Sequence, residues 1–383
     1  MSAPGDPIAA IQLALAENQP EKAEALARSI LAGGSGPFAI WSLLATALRR
    51  QGRHREGLAI LEKLVEAAPQ NLSLRFDLSE TLLLLGDFDR GWREYRFRYS
   101  LPHTTRLDRK VQRPRWGGEA IPGKTLLIYD EQGFGDTFQF MRLLAWAKKR
   151  SQARLVLQIA PRQAAFAKRL KIADEIVLRG ALPPPFDVYC EMMSLPMAMG
   201  LKLSDLPGEM PYLSADPERV DAWRTRLANL PRPLVALVWA GRPEHFNDAQ
   251  RSTGLARMAG LAMDGITFVS LQKGPRSGEA KTPPSGMTLI DLDEEQGDFD
   301  DAAAVLMLAD LLISVDTSPA HLAGALGRPV WLMLSFVADW RWLLERTDSP
   351  WYPGHRLFRQ QKSGDWDGVV QEMAAALKNW RGA

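Results

Sequence analysis

The sequence contains few of the residues that staple a small fold or anchor a chain in a membrane. Cys190 is the only cysteine among 383 residues. One cysteine cannot form an internal disulfide, and the Cys/His spacing of zinc sites is absent, so we expect a reducing compartment. No apolar run approaches the length of a membrane span. The first twenty residues contain no Lys or Arg and no sustained apolar core. These absences argue against a signal peptide and predict a cytoplasmic protein.

An excess of charge of either sign is also missing. The chain has 47 Lys and Arg against 45 Asp and Glu, a net charge of +2, without a long basic run. This balance gives no electrostatic footprint for nucleic acid. The length predicts two or three domains with sizeable cores.

The first hundred residues repeat turn and small residues at an interval of 34 positions. One series is Asn18, Gly52 and Gly86, and the other is Ala23, Gly57 and Gly91. This period is typical of tetratricopeptide helix–turn–helix repeats and predicts three units, over about residues 4–37, 38–71 and 72–105. The middle unit fits the pattern best, and the flanking units are predicted to be atypical caps. The array forms either a groove for a protein or a structural cap on the next domain.

The rest of the chain alternates short apolar runs with helical patterns. Residues 106–122 are rich in Pro, Gly and basic side chains, and they are predicted to be a linker between the repeats and the part of the chain that begins at residue 123. Alternating strands and helices over 123–225 and again over 226–383 predict two Rossmann-like domains with parallel sheets. The predicted fold class is therefore α/β, with an all-α amino-terminal array before the two α/β domains.

Residues 314–334, SVDTSPAHLAGALGRPVWLML, are predicted to form a strand, a polar turn and the start of a helix. Asp316, Thr317 and Ser318 supply capping oxygens, and Pro319 suits the first turn of a helix. The free N–H groups of such a helix would face the carboxyl edge of a sheet. That arrangement binds anions such as a diphosphate.

Four blocks carry a resemblance to a known family. DTSPAHLAGALGRPV (316–330) resembles the signature of glycosyltransferase family 9, the heptosyltransferases, and DEQGFGDTFQFMRLL (130–144) resembles the turn that opens their first domain. LVWAGRPEHFNDAQRS (237–252) and FVSLQKGP (268–275) resemble loops of a branch joined to tetratricopeptide repeats. The combination is also similar to O-linked N-acetylglucosamine transferases. The resemblance implies a GT-B fold, with an acceptor-side domain over 123–225 and a nucleotide-sugar domain over 226–383.

The resemblance implies that Asp136 is the catalytic base. Gly133 and Gly135 free the backbone of the turn, and one carboxylate suffices to take the proton from an attacking acceptor. The alternative is that Asp136 only caps its helix.

The donor is expected at the second domain. Lys273 is placed to meet a phosphate after its strand, and lysine with helix N–H groups can stabilise a departing diphosphate without a metal. No acidic D-x-D pair lies at a strand end, so we predict metal independence and no cofactor beyond the nucleotide sugar. The other predicted donor contacts are Asp316, Thr317, Ser318, His321 and Arg251, with loop contacts from Gly241, His245, Asn247 and Asp248. His321 is as readily interpreted as a packing residue. Trp340 and Trp342 could stack on a base, but a place in the core is favoured.

The sequence therefore predicts an inverting glycosyltransferase that uses a nucleotide sugar and modifies a protein bound by the repeats, such as flagellin or another surface protein. One alternative is a heptosyltransferase acting on a lipopolysaccharide core, which would not need repeats. The other is a non-catalytic adaptor with a degenerate transferase domain.

Overall fold

The computed structural model describes residues 6–34, 36–100, 113–206, 209–245 and 247–380. The chain divides into two compact units. One comprises Met1–Arg109 with Val337–Leu344, and the other comprises Lys110–Phe336 with Glu345–Ala383. Residues 101–105 of the predicted third repeat and 106–112 of the predicted linker lie outside the described residues.

The first unit, which we call the helical unit, is built from helical hairpins. Its helices within the described residues are α1 (Pro7–Ala16), α2 (Pro20–Leu31), α3 (Phe38–Arg50), α4 (His54–Ala67), α5 (Leu72–Leu84) and α6 (Phe88–Tyr95). Small residues let them pack closely: a methyl group on Gly57 would lie 3.2 Å from the Ala45 carbonyl oxygen. None of the helices in the described part of the chain is long and apolar enough to cross a membrane.

The turns inside the three hairpins share one backbone conformation. Asn18, Gly52 and Gly86 have φ values of 56°, 76° and 84°, a left-handed region that Gly and Asn enter most easily. The second helix of each hairpin begins two residues later, at Pro20, His54 and Phe88. Helical hairpins therefore recur at the predicted spacing, and their assignment to the tetratricopeptide family stays a prediction.

A segment from far along the sequence completes the helical unit. Val337–Leu344 belongs to this unit, and the Trp340 ring lies edge-on to Trp92 and Tyr95, with centroid separations of 5.2 and 6.1 Å. Trp340 and Trp342 are buried. The interpretation of both tryptophans as core residues is therefore the one that fits the structure.

The first part of the other unit is a parallel sheet with the order β3-β2-β1-β4 among the described residues. Its elements are β1 (Thr125–Tyr129), α7 (Phe134–Phe140), α8 (Leu144–Ser151), β2 (Arg154–Ile159), α9 (Ala164–Leu170), β3 (Glu175–Leu178), β4 (Val188–Glu191), α10 (Leu195–Met199) and α11 (Pro217–Leu227). Trp116, inside the predicted linker, is buried and donates its backbone N–H to Tyr189 O at 2.7 Å.

The second part is a parallel sheet with the order β10-β9-β8-β5-β6-β7 among the described residues. Its elements are β5 (Leu234–Val238), α12 (Asp248–Arg251), β6 (Thr267–Ser270), β7 (Leu289–Asp291), α13 (Phe299–Leu308), β8 (Leu311–Val315), α14 (Ser318–Ala325), β9 (Val330–Leu334), β10 (His355–Arg359) and α15 (Trp366–Asn379). The inner strands β5, β8 and β9 are buried along their whole length, as expected for a parallel sheet covered on both faces.

Two local predictions were wrong in detail. The apolar pattern over 137–149 predicts one helix, but α7 ends at Phe140, a 3₁₀ turn spans Met141–Leu143, and α8 follows. The Tyr212 hydroxyl contacts the carbonyl oxygens of Phe138 and Gln139 where α7 ends. Strand β10 was not predicted, because His355 and Arg356 interrupt its apolar run.

The shared turn conformation gives a stability prediction. Nothing lies within 4 Å of a methyl group built on Gly86, so a side chain at this position would meet no steric clash with neighbours. The positive φ of Gly86 is then the only feature that makes a side chain unfavourable. We expect Gly86→Ala to lower the free energy of unfolding by about 1–2 kcal/mol. Gly86→Asn should lose less, because Asn18 occupies the equivalent turn. Urea unfolding followed by circular dichroism measures both, and equal losses would rule out backbone strain as the cause.

Candidate active site

The order of the strands determines where each sheet can hold a ligand. In the first sheet, β2 and β3 are added on one side of β1 and β4 is added on the other side. In the second sheet, β6 and β7 lie on one side of β5, and β8, β9 and β10 lie on the other side. Loops that leave the carboxyl ends of strands on either side of such a switch point diverge and open a crevice, where α/β proteins bind ligands. The predicted residues after β1, β5 and β8 all lie at these two positions.

The first switch point carries Asp136 on the opening turn of α7. The Gly133 N–H donates to Asp136 Oδ2 at 2.9 Å, so the carboxylate caps its own helix. A methyl group on Gly133 would lie 3.0 Å from that oxygen. The capping contact directs the half-buried carboxylate to the crevice edge, and the helix dipole favours its negative charge. Asp130, Glu131, Met192 and Met193 line a shallow depression beside it.

Buried carboxylates support this edge of the sheet. Asp130 accepts from the Ala160 N–H at 2.9 Å and pairs with Arg179 at 2.6 Å. Burial raises the pKa of Asp130, against the lowering effect of Arg179. Glu191 is fully buried and pairs with Arg115 through both carboxylate oxygens. These paired groups hold the ends of β1 and β4.

The loop after β5 folds around a glycine at the second switch point. The Gly241 N–H donates to Ser252 Oγ at 2.8 Å, and Ser252 Oγ donates to Asp248 Oδ1 at 2.7 Å. A methyl group on Gly241 would lie 2.7 Å from both Arg251 Nη2 and Asp248 Oδ1. Arg251 also donates to Asp316 O at 3.2 Å. The loops after β5 and β8 are therefore joined through Arg251.

The remaining predicted loop residues form a local contact. The Asn247 N–H donates to His245 Nδ1 at 3.2 Å, directly after a turn in which the His245 N–H donates to the Arg242 carbonyl oxygen. This geometry fits a residue pair that fixes the loop. A sugar contact by either side chain stays a prediction.

Lys273 lies against a different loop. Its Nζ contacts Asp293 O at 2.5 Å, Gln296 O at 2.7 Å and Asp293 Oδ1 at 2.8 Å. The neighbouring Gln272 accepts at Oε1 from the backbone N–H groups of Trp239 and Ala240. An ammonium group has three protons to donate, so Lys273 must release a loop contact before it can bind a phosphate.

Helix α14 begins directly after β8, with Thr317 in extended conformation at its N-cap and Pro319 in its first turn. Asp316, Thr317, Ser318 and Pro319 are partly exposed, whereas His321 is buried. His321 Nδ1 lies 3.0 Å from the Tyr352 hydroxyl, and its Nε2 lies 3.7 Å from Asp316 Oδ1. A partly exposed helix amino end of this kind can bind an anion, and anion binding at α14 stays a prediction.

Helices α7 and α14 meet at Gly135. A methyl group on Gly135 would lie 2.8 Å from His321 Cδ2 and 3.5 Å from Ser318 Cα. Only a residue without a side chain permits this approach. The turn that carries Asp136 is therefore in contact with the helix whose amino end faces the second crevice.

The structure thus divides the predicted site residues into three groups. The residues of the first group lie at the two switch points. The residues of the other two groups contact loops away from the first group. The first group is Gly133, Gly135, Asp136, Gly241, Asp248, Arg251, Asp316, Thr317, Ser318 and His321, the second is Lys273, and the third is His245 with Asn247.

Aromatic residues behind α14 were missed. Tyr352 stacks on His355 at 4.6 Å, and a methyl group on Gly324 would lie 2.5 Å from Tyr352. Burial, with a smaller effect of His321, lowers the pKa of His355 to about 3. His355 is thus neutral at physiological pH. The sequence signal was the run WYPGH, whose aromatic residues look like ordinary core.

Comparisons with known proteins agree with this location. Residues 296–331, which contain α13, β8, α14 and the first two residues of β9, match the family described as glycosyltransferase family 9 (heptosyltransferase). Protein FlbA of Caulobacter vibrioides is 28% identical over 343 residues, covering 82% of this chain and 56% of FlbA. The chain therefore spans little more than half the length of that relative.

The comparison with solved structures includes one that shares the fold. A glycosyltransferase family 9 structure from Veillonella parvula has a TM-score of 0.50 at 10% identity, over 69% of this chain and 98% of that one. ADP-heptose lipopolysaccharide heptosyltransferase II of E. coli has a TM-score of 0.48 at 12% identity, over 67% and 99%. The α/β fold with parallel sheets is similar to that of GT-B glycosyltransferases. The family match and this fold together support a glycosyltransferase.

Proposed function

We propose that the chain is an inverting, metal-independent glycosyltransferase that moves a sugar from a nucleotide sugar to a protein acceptor. The observation that carries the proposal is the contact of α7 with α14 at Gly135, Ser318 and His321. It places a carboxylate-bearing turn beside the amino end of a helix suited to a diphosphate. A base and a leaving-group site are then available at adjoining crevices.

In the proposed reaction, Asp136 takes the proton of an acceptor hydroxyl as its oxygen attacks the anomeric carbon. The bond between that carbon and the diphosphate oxygen breaks, and the leaving diphosphate keeps the electron pair. Attack from the face opposite the leaving group inverts the anomeric centre. One carboxylate is enough when the acceptor is held in line.

The developing negative charge on the diphosphate would be stabilised by the α14 amides and by local cations. Arg251 lies between the loops after β5 and β8, and its contacts to Asp248 and Asp316 O are long, at 3.4 and 3.2 Å. Lys273 is held more tightly by its own loop. We therefore propose Arg251 as a phosphate contact already in position and Lys273 as one recruited on binding.

The helical unit is the reason to propose a protein acceptor. Its hairpins have the length, turn conformation and 34-residue spacing of repeats that bind peptides in other proteins. Flagellin or another surface protein stays the proposed target class. A lipopolysaccharide-core acceptor is the alternative that the acceptor experiment below tests.

The base assignment predicts the behaviour of Asp136→Asn. The amide keeps the shape of the side chain and loses its basicity, so turnover should fall on the order of a hundredfold or more. Nucleotide binding, measured by calorimetry, should be nearly unchanged. Asp187→Asn, an exposed carboxylate at the other end of the sheet, is the control. Near-normal turnover of Asp136→Asn would remove Asp136 as the base.

The recruited-cation proposal predicts that Lys273→Ala weakens binding of a nucleoside diphosphate by about 1.5–3 kcal/mol. Lys281→Ala removes the same charge near the same loop, where Lys281 lies 3.7 Å from Glu294, and should have little effect. Calorimetry with ADP, GDP and UDP, with and without EDTA, measures this. If Lys273→Ala binds the nucleoside diphosphate normally, Lys273 only stabilises its loop and does not contact phosphate. If binding requires a divalent cation, the proposed metal-free site is wrong.

The acceptor proposal predicts a mass increase of one sugar on a protein of the source cells. Extracts from cells lacking this chain are incubated with the wild type or with Asp136→Asn, and tryptic peptides are compared by mass spectrometry. We expect modified peptides only with the wild type. Modification of a glycolipid fraction, with unmodified protein, would favour the lipopolysaccharide-core alternative.

A further inference from the structure

Tyr212 joins the two helices of the proposed site. Its hydroxyl donates to Phe138 O at 2.8 Å and lies 3.3 Å from Gln139 O, both at the end of α7. The backbone N–H groups of Tyr212 and Leu213 donate to Ala325 O, at the end of α14, at 3.1 Å each. One residue thus bonds both helices, in the segment that connects the two sheets.

A second path runs from Tyr212 to α14 through side chains. The Tyr352 hydroxyl lies 3.0 Å from His321 Nδ1. Burial raises the pKa of Tyr212, and the Tyr352 side chain, which interacts with the Tyr212 hydroxyl, lowers it. Tyr352 therefore links Tyr212 to His321 of α14.

Helix α7 also has contacts that hold it against the second sheet's helices. The Phe299 ring at the start of α13 lies edge-on to Phe134 and Phe138, with centroid separations of 5.2 and 5.1 Å. Together with the contact of Gly135 and His321, these rings restrain α7 near Asp136. Tyr212 restrains the other end of the helix. Helix α7 is therefore in contact with α14 near its start through Gly135 and is linked to α14 near its end through Tyr212.

We infer that Tyr212 is a positioning residue that couples occupation of the α14 end to the orientation of α7 and its Asp136 carboxylate. The inference rests on the proposed function, because it assumes that a nucleoside diphosphate binds at α14 and that Asp136 acts on the acceptor. Tyr212 is half-buried, and its hydroxyl and backbone N–H are both engaged by the two helices. We expect its effect on turnover to act through α7.

The test is hydrogen–deuterium exchange of the full chain with ADP, GDP or UDP. In the wild type, the nucleotide that binds should slow exchange over residues 316–325 and also over 134–143. In Tyr212→Phe, protection should persist over 316–325 and be lost over 134–143. With a donor that supports turnover, kcat should fall about tenfold while the donor KM is unchanged. Tyr189→Phe, on β4, is the matched control and should behave as the wild type.

Tyr352→Phe breaks only the side-chain path and should reduce protection over 134–143 while the backbone bonds of Tyr212 remain. It replaces Tyr212→Phe as the deciding variant if that protein does not fold. Full protection over 134–143 in the deciding variant, with unchanged kcat, would overturn the inference and leave the proposed function standing. Absence of protection over 316–325 in the wild type with every nucleotide would overturn the proposed function and the inference with it.

Discussion

The close approach of α7 and α14 is the constraint on which the rest of the site depends. It exists because Gly135 lacks a side chain where the His321 ring passes. A methyl group at that point would lie 2.8 Å from the ring, so the helices would have to separate slightly. Such a separation matters in a transfer reaction, because small misplacements of reacting groups are costly. The packing of two helices thus sets the geometry of the chemistry.

Charge at this site is local, since the chain as a whole is nearly neutral. The amides of α14 and the side chain of Arg251 lie at the second switch point, while Lys273 is engaged by the 293–296 loop. The affinity of the site for phosphate therefore depends on where the backbone N–H groups of α14 point and on whether Arg251 or Lys273 is in position to contact the phosphate. Gly241 contributes by making room for Arg251.

The sequence placed most strands because β1, β5, β8 and β9 are continuous apolar runs, and parallel sheets need such runs. The turns after them were predictable because Gly, Asp and Pro have specific backbone preferences. The sequence could not show that Tyr212 would bond Phe138 where α7 ends, or that Lys273 would contact Asp293. Those contacts join residues distant in sequence, and no local pattern encodes them.

The helical unit contains Val337–Leu344, and the Trp340 ring packs on Trp92 and Tyr95. During synthesis α6 leaves the ribosome long before Trp340 does, so the face of Trp92 that Trp340 covers lacks that cover until strands β1 to β9 have been made. Domains that can finish folding early normally do so as the chain emerges. This unit is completed late, and it cannot be exchanged as a contiguous gene fragment without leaving part of its core behind.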